Sequence, residues 1–214
     1  ALTYILDDPS PKVRHALAEV LSTSTAAPSQ IIIALAGDQI EIAAVVILRS
    51  PVLTDIDLID RVAMGDEGAQ QLIALRPQVS KTVSAAIAEV GCLEACRELI
   101  ANTGADIARL SLRRICERHG GDGAFRQTLL EDQRLPADCR QSLVKQHGKA
   151  LSELTLVRAL MGQARAERVT RDACMRACLS AVDGVDPSEH GALVEHLRLS
   201  GDLTTGFVIR SLAH

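Results

Sequence analysis

The chain of 214 residues carries a net charge of −4, with 47% apolar and 23% charged residues, proportions that support an ordinary folded core in one or two domains. An isoelectric point near 5.9 weighs against nucleic acid and anionic membrane surfaces, both of which select a basic field, and no apolar run reaches the roughly 18 residues that mark a membrane-spanning helix. Tyr4, Phe125 and Phe207 are the whole aromatic complement, so Leu, Ile, Val and Ala must build the core and few rings remain to stack a base or a sugar.

Ala1 to Leu6 has neither a charged n-region nor a small-residue cleavage site, so it is not read as a signal peptide. It opens on what reads as a helix already under way. The C-terminal stretch Phe207 to Leu212 stops inside an apolar period, and the chain is therefore expected to be a fragment of a longer one.

Residues 10–22 give the clearest helical pattern, with Val13, Ala16, Leu17, Val20 and Leu21 at i, i+3, i+4, i+7 and i+8. Ser10 is the expected cap and Pro11 occupies the first turn, where its missing N–H costs nothing. A second helix starts near Pro28, buries Ile31, Ile32, Leu35 and Ala36, and stops at Gly37. Asp38 and Glu41 have capping-box spacing for the next, Ile42 to Leu48, which Ser50-Pro51 ends. Thr54 and Asp57 open a helix carrying Ile56, Leu58, Ile59 and Val62; Gly65-Asp66 leads into another with Ala69, Leu72, Ile73 and Ala74, closed by Pro77. Ser80 begins Val83, Ala86, Ile87 and Val90; after Gly91 come Leu93, Cys96, Leu99 and Ile100. Asp106 is the expected start of a helix with Ala108, Leu112, Ile115 and Cys116 on one face, and the Gly120-Gly121-Asp122-Gly123 connector precedes Phe125, Leu129 and Leu130.

Two series of helix starts run through this region. Thr54, Ser80 and Asp106 stand 26 residues apart, and Asp8, Asp38, Asp66, Glu94 and Asp122 advance by 30, 28, 28 and 28. Two starts per interval indicate stacked helix pairs, each unable to bury its apolar face alone. Helices of roughly 9 to 13 residues with loops of about 2 to 5 suit an antiparallel arrangement.

Beyond residue 132 the period fades. Pro136 opens a long stretch that includes Leu143, Val144, Leu151, Leu154, Val157, Leu160 and Met161; Gly148 and Gly162 weaken it, at about 1 kcal/mol each against alanine, without being expected to end it. A further helix is expected over Asp172 to Val182, and Asp186-Pro187-Ser188-Glu189 reads as a cap, a first-turn proline and a third-position glutamate. Leu193, Val194 and Leu197 follow, then a Ser200-Gly201 stop.

The string Asp8-Pro9-Ser10-Pro11-Lys12-Val13-Arg14-His15-Ala16-Leu17-Ala18 is similar to helical repeats of the HEAT or leucine-rich-variant kind. With Leu35-Ala36-Gly37-Asp38, Leu48-Arg49-Ser50-Pro51-Val52-Leu53-Thr54-Asp55, Leu135-Pro136 and Leu199-Ser200-Gly201-Asp202-Leu203-Thr204, the chain resembles, over most of its length, an uncharacterised family common in alphaproteobacteria and catalogued only as a domain of unknown function. The resemblance implies a helical-repeat fold in a cytoplasmic bacterial protein, and it brings no catalytic residues.

Among residues able to carry chemistry, Cys92 and Cys96 lie one helical turn apart, as do Cys174 and Cys178. Two such pairs could complete a Cys₄ metal site, but structural zinc uses tighter knuckles on turns, and Cys96 and Cys178 sit among apolar neighbours. The six cysteines are read as buried thiols in a reducing compartment, with neither metal nor disulfide; a redox role would require exposed thiols of low pKa. Arg109, Arg113, Arg114 and Arg118 form the strongest basic feature, expected to face outward, opposite Ala108, Leu112 and Ile115. A solvated helix face accounts for them, and contact with a partner or a small anion is the functional alternative. Gripping damaged DNA would require rings that this chain lacks. His147 in Lys145-Gln146-His147-Gly148-Lys149 is read as a packing histidine at an apolar edge in preference to a phosphotransfer residue. No Walker loop, dinucleotide-binding glycine motif or nucleophile elbow is present.

The expected architecture is all-α: a HEAT-like antiparallel helix-pair solenoid over residues 1–131, followed by a truncated C-terminal helical segment over 132–214. The expected function is a non-enzymatic scaffold or regulator in a bacterial cytoplasm that binds a protein partner, with no cofactor, no metal, no catalytic residues, no membrane and no nucleic acid. The alternative is a sensor of a small anionic ligand such as a nucleotide, held by Arg109, Arg113, Arg114 and Arg118.

Overall fold

The computed structural model describes residues 6, 8–182, 187 and 190–211. Among them the chain forms fourteen α-helices and no strand, the only extended pairing being an isolated parallel bridge between Val79 and Ala105. No described helix is long and apolar enough to cross a membrane. Two compact units divide the chain at Ile115 and Cys116. The junction at which the sequence pattern changes, near residue 132, lies inside the second unit.

The first unit contains α1 (Pro11–Leu21), α2 (Ser29–Ala36), α3 (Ile40–Arg49), α4 (Asp55–Met64), α5 (Glu67–Ala74), α6 (Lys81–Val90), α7 (Leu93–Ala101) and the start of α8 (Arg109–His119). Helices two apart in sequence pack on each other: α1 on α3, α3 on α5, α5 on α7, and α4 on α6. Neighbours in sequence also meet, α2 with α3, α4 with α5 and α6 with α7. The shared core is mainly aliphatic, with Ile32, Leu35, Ile42, Ile47, Ile73, Ile87 and Leu99 removed from solvent alongside Cys96 and Ser84. Each aliphatic residue of this kind contributes roughly 1.5–3 kcal/mol when fully buried, and none of these short helices encloses its own share.

Polar contacts repeat with the same interval. The Asn102 amide after α7 donates to the carbonyls of Ala74 and Arg76, at 2.8 and 2.7 Å. The Arg76 guanidinium after α5 donates to the carbonyls of Ile47 and Ser50 at the end of α3. Ser50, Arg76 and Asn102 are 26 residues apart, so at two successive junctions a residue after one helix supplies donors near the end of the helix two before it. The loops add a backbone rung: Val79 N–H donates to the Gly104 carbonyl (3.3 Å) and Asp106 N–H to the Val79 carbonyl (2.9 Å).

Several helix starts follow their local sequence signals. Thr54 and Asp57 form a reciprocal capping box, and Asp66, Ser80 and Asp122 each accept the N–H three residues on. Others depart from it. In α1 the buried pair is Leu17 and Ala18, with Val20 74% exposed, because Arg14 turns inward to pair with Asp38 and to donate to the Asp8 carbonyl, which sets the rotation of the helix. Asp38, occupied by Arg14, does not cap α3; Gln39 stands at that position. Ser10 stands at the N-cap of α1 without a side-chain hydrogen bond. Asp106 precedes the first helical residue of α8 by three, its N–H committed to Val79.

The second unit contains the rest of α8 and α9 (Gly123–Glu131), α10 (Ala137–Glu153), α11 (Thr155–Met161), α12 (Gln163–Val182), α13 (His190–Leu199) and α14 (Thr205–Ser211). The long α10 and α12 form its main packing, α11 touches both, α9 and α13 lie on α10, and α14 lies on α12. Phe125, Leu129 and Leu143 are fully buried, and Cys178, Leu179, Leu193, Leu197 and Phe207 form a second cluster. Gly162, with φ of +77°, ends α11, in contrast to the sequence expectation that it would only weaken a longer helix; α12 accordingly starts at Gln163, nine residues before the expected Asp172. The expected cap at Asp186-Pro187-Ser188-Glu189 falls largely outside the described residues.

Gly148 lies in the middle of α10, where a β-carbon would overlap the Cys174 sulfur on α12 and sit 3.1 Å from Thr170 Cγ2. The glycine is there to let two helices touch. At an open helical position Gly148→Ala would gain about 1 kcal/mol; here overpacking of about 1–3 kcal/mol wins and the thermal midpoint should fall. The fall should shrink in a Cys174→Ala background, and a rise for Gly148→Ala alone would refute the close contact. In the first unit, Asn102→Ala should cost about 1–3 kcal/mol in chemical denaturation, because it strips two helix-terminal carbonyls of their donor.

Candidate functional site

Among described residues, the four arginines singled out in the sequence all lie on α8. At 100° per residue, Arg109 and Arg113 fall within about 40° of each other, but Arg114 and Arg118 lie about 100° to 180° away from them. Arg109 is exposed and the other three are half-buried. Arg114 makes a two-pronged ion pair with Glu89 on α6, at 2.8 and 2.9 Å. The helix therefore spreads the four cations over two faces, and one of them is engaged in holding α8 against α6.

The cysteines sit in different environments. Cys92 caps α7, its sulfur accepting from the Ala95 N–H at 3.4 Å, and its own N–H is held by the buried Gln70 at 2.8 Å. Cys96, Cys116, Cys139 and Cys178 are buried. Cys174 is half-buried and its thiol donates to the Val144 carbonyl at 3.6 Å. Burial pushes the Cys178 thiol up to about 11, with the neighbouring Cys174 and Asp202 adding to the effect, and burial raises Cys174 as well. Both are thiols at neutral pH, whereas nucleophilic attack and metal binding use the thiolate. No group of three or more His, Cys, Asp or Glu side chains that could hold a metal ion occurs among the described residues. His147 is exposed on α10, and His196 Nε2 lies 3.2 Å from Ser142 Oγ.

Two features escape a residue-by-residue reading of the sequence. The first is the carboxylate of Asp202, in the loop after α13. It accepts hydrogen bonds from Lys145 Nζ (2.6 Å), Gln141 Nε2 (2.9 Å) and Ser200 Oγ (2.6 Å), joining residues up to 61 positions apart. The loop is set by Gly201, whose φ of +73° lets Asp202 N–H turn back to the Leu197 carbonyl at 2.9 Å. The only sequence trace of this arrangement is the Ser200-Gly201-Asp202 turn.

The second feature is α11. None of its residues is buried, although four of its seven are large and apolar. Leu156 and Leu160, one turn apart, are 69% and 75% exposed, and Leu151, Leu154 and Met161 are exposed around them. Single exposed apolar side chains are normal on a soluble surface; a run of five within eleven residues is a patch.

Fold and surface together define an all-helical protein with a packed aliphatic interior and an apolar outer patch. The chain belongs to an uncharacterised protein family conserved in bacteria, domain of unknown function 2336, whose model matches residues 42–214. No curated protein and no solved structure matches the chain.

Burial pushes the Asp202 carboxyl up, but donation from Lys145, Ser200 and Gln141 outweighs this and leaves its pKa below the ordinary aspartate value. An unfolded aspartate titrates near 3.9, so on acidification the unfolded chain takes up this proton first. The stabilisation is complete above about pH 4 and is lost as pH falls through the lower folded pKa. Asp202→Asn should therefore be less stable than the parent in urea at pH 7, and the difference should narrow at pH 3. A difference that stays constant with pH would mean that the carboxylate charge contributes nothing.

Proposed function

We propose that this chain is a non-enzymatic helical-repeat scaffold or regulator that acts in the bacterial cytoplasm by binding a protein partner. The observation that carries this reading is the apolar surface on α11, where Leu156 and Leu160 project into solvent on a helix that buries nothing of its own. An amphipathic helix with anchors at i and i+4 is a common way of meeting a groove on another protein. The alternation in the first unit, with helices two apart packed on each other, supports a HEAT-like solenoid of helix pairs, an architecture that provides contact surface without special chemistry. The protonated thiols and the division of the α8 arginines between two faces favour contact over catalysis.

A photo-crosslinking residue placed at Leu156 or Leu160 of the intact protein in its native host should yield one recurrent protein adduct. The same residue at Glu117 on α8 serves as the comparison. The adduct should be lost when the remaining leucine of the pair is changed to Glu, a change that leaves the fold intact because both side chains are exposed. The absence of any recurrent adduct, or the same adducts from all three positions, would overturn the reading.

A further inference from the structure

A cleft of about 220 Å³ opens in the second unit between α10, α12 and the Gly201–Thr204 loop. Cavities of roughly 150 Å³ lined by aliphatic and aromatic groups take up a benzene ring, so this one has room for an apolar body of about six carbons. Its apolar wall consists of the buried Cys178 and Phe207 and the half-buried Met175, soft groups that adapt to an aliphatic or aromatic guest. Lys145 and Arg171 also line it. A neighbouring cavity of about 230 Å³ shares both cations and adds Lys149 and Glu167. Across the two cavities three cations, Lys145, Lys149 and Arg171, face two carboxylates, Asp202 and Glu167, so the lining is net positive in a chain of net charge −4.

The Asp202 carboxylate accepts three hydrogen bonds, from Lys145, Gln141 and Ser200, all on Oδ2. Arg171 is exposed and pairs with no carboxylate among the described residues. Gln141, 95% buried, gives its amide nitrogen to Asp202, and its Oε1 is closed off from solvent, so this side chain holds the loop and offers nothing to a guest.

We propose that this cleft binds a small organic acid with an apolar body, as in an aliphatic monocarboxylic acid. The body lies on Met175, Cys178 and Phe207, and the carboxylate meets Arg171 and Lys145. The inference is independent of the protein-binding reading, which concerns α11.

The test is titration of the full chain with hexanoate, pentanoate and hexanol, followed calorimetrically and by amide chemical shifts. One saturable site is expected for hexanoate, with pentanoate several-fold weaker for its missing methylene and hexanol weaker still. Arg171→Glu, an exposed substitution checked by an unchanged thermal midpoint, should weaken both acids at least tenfold and leave hexanol as it was. Met175→Trp, which fills the cleft, should abolish all three. The proposal is overturned by the absence of saturable binding, by hexanol binding as tightly as the acids, or by an Arg171→Glu variant that binds the acids unchanged.

Discussion

Bare carbonyl groups at helix C-termini are the constraint on which the first unit depends. A short helix leaves four such groups without an intrahelical partner, and a chain built from helices of eight to eleven residues multiplies the problem. The solution is relayed along the sequence: Asn102 serves the end of α5, and Arg76, at that same end, serves α3. The aliphatic interior follows the same logic. Ile47, Ile73 and Leu99 stand 26 residues apart and are all fully buried, each belonging to a helix that covers only part of it. Hydrophobic burial and hydrogen bonding thus share one register, which is why the interval is so constant.

The second unit solves a different packing problem. Its principal helices, of 17 and 20 residues, are long enough to pack side by side over several turns, and their approach is set by Gly148 against Cys174. The chain reverses between them through α11, which Gly162 terminates in a left-handed conformation. A short connecting helix in that position has one side toward α10 and α12 and the rest toward solvent, so its leucines have nowhere internal to go. The apolar patch is thus a by-product of connectivity that a partner can exploit.

Most of the helices were legible in the sequence because their signals are local. A cap is a side chain and an N–H three residues apart, and Thr54, Asp66, Ser80 and Asp122 meet that condition without help from elsewhere. Asp38 and Asp106 carry the same signal and do not cap, since Arg14 claims the first and the Val79 loop fixes the backbone of the second. Gly162 illustrates the limit from the other side: a helical glycine and a left-handed stop are indistinguishable until the packing of α11 on α10 is known. The polar hub at Asp202 was illegible for the simplest reason, because Gln141 and Lys145 are about sixty residues away along the chain. The arginines of α8 were visible as a composition feature, but 3.6 residues per turn divides them between two sides of the helix.

The relay of donors also gives the first unit a direction and a quantum of length. The ends of α3 and α5 are each finished by a residue from further along the chain, 26 positions apart, so a deletion or insertion between them keeps both ends served only if it adds or removes that whole step. Any other change of length places an ill-suited residue opposite a helix terminus and shifts the aliphatic ladder at the same point.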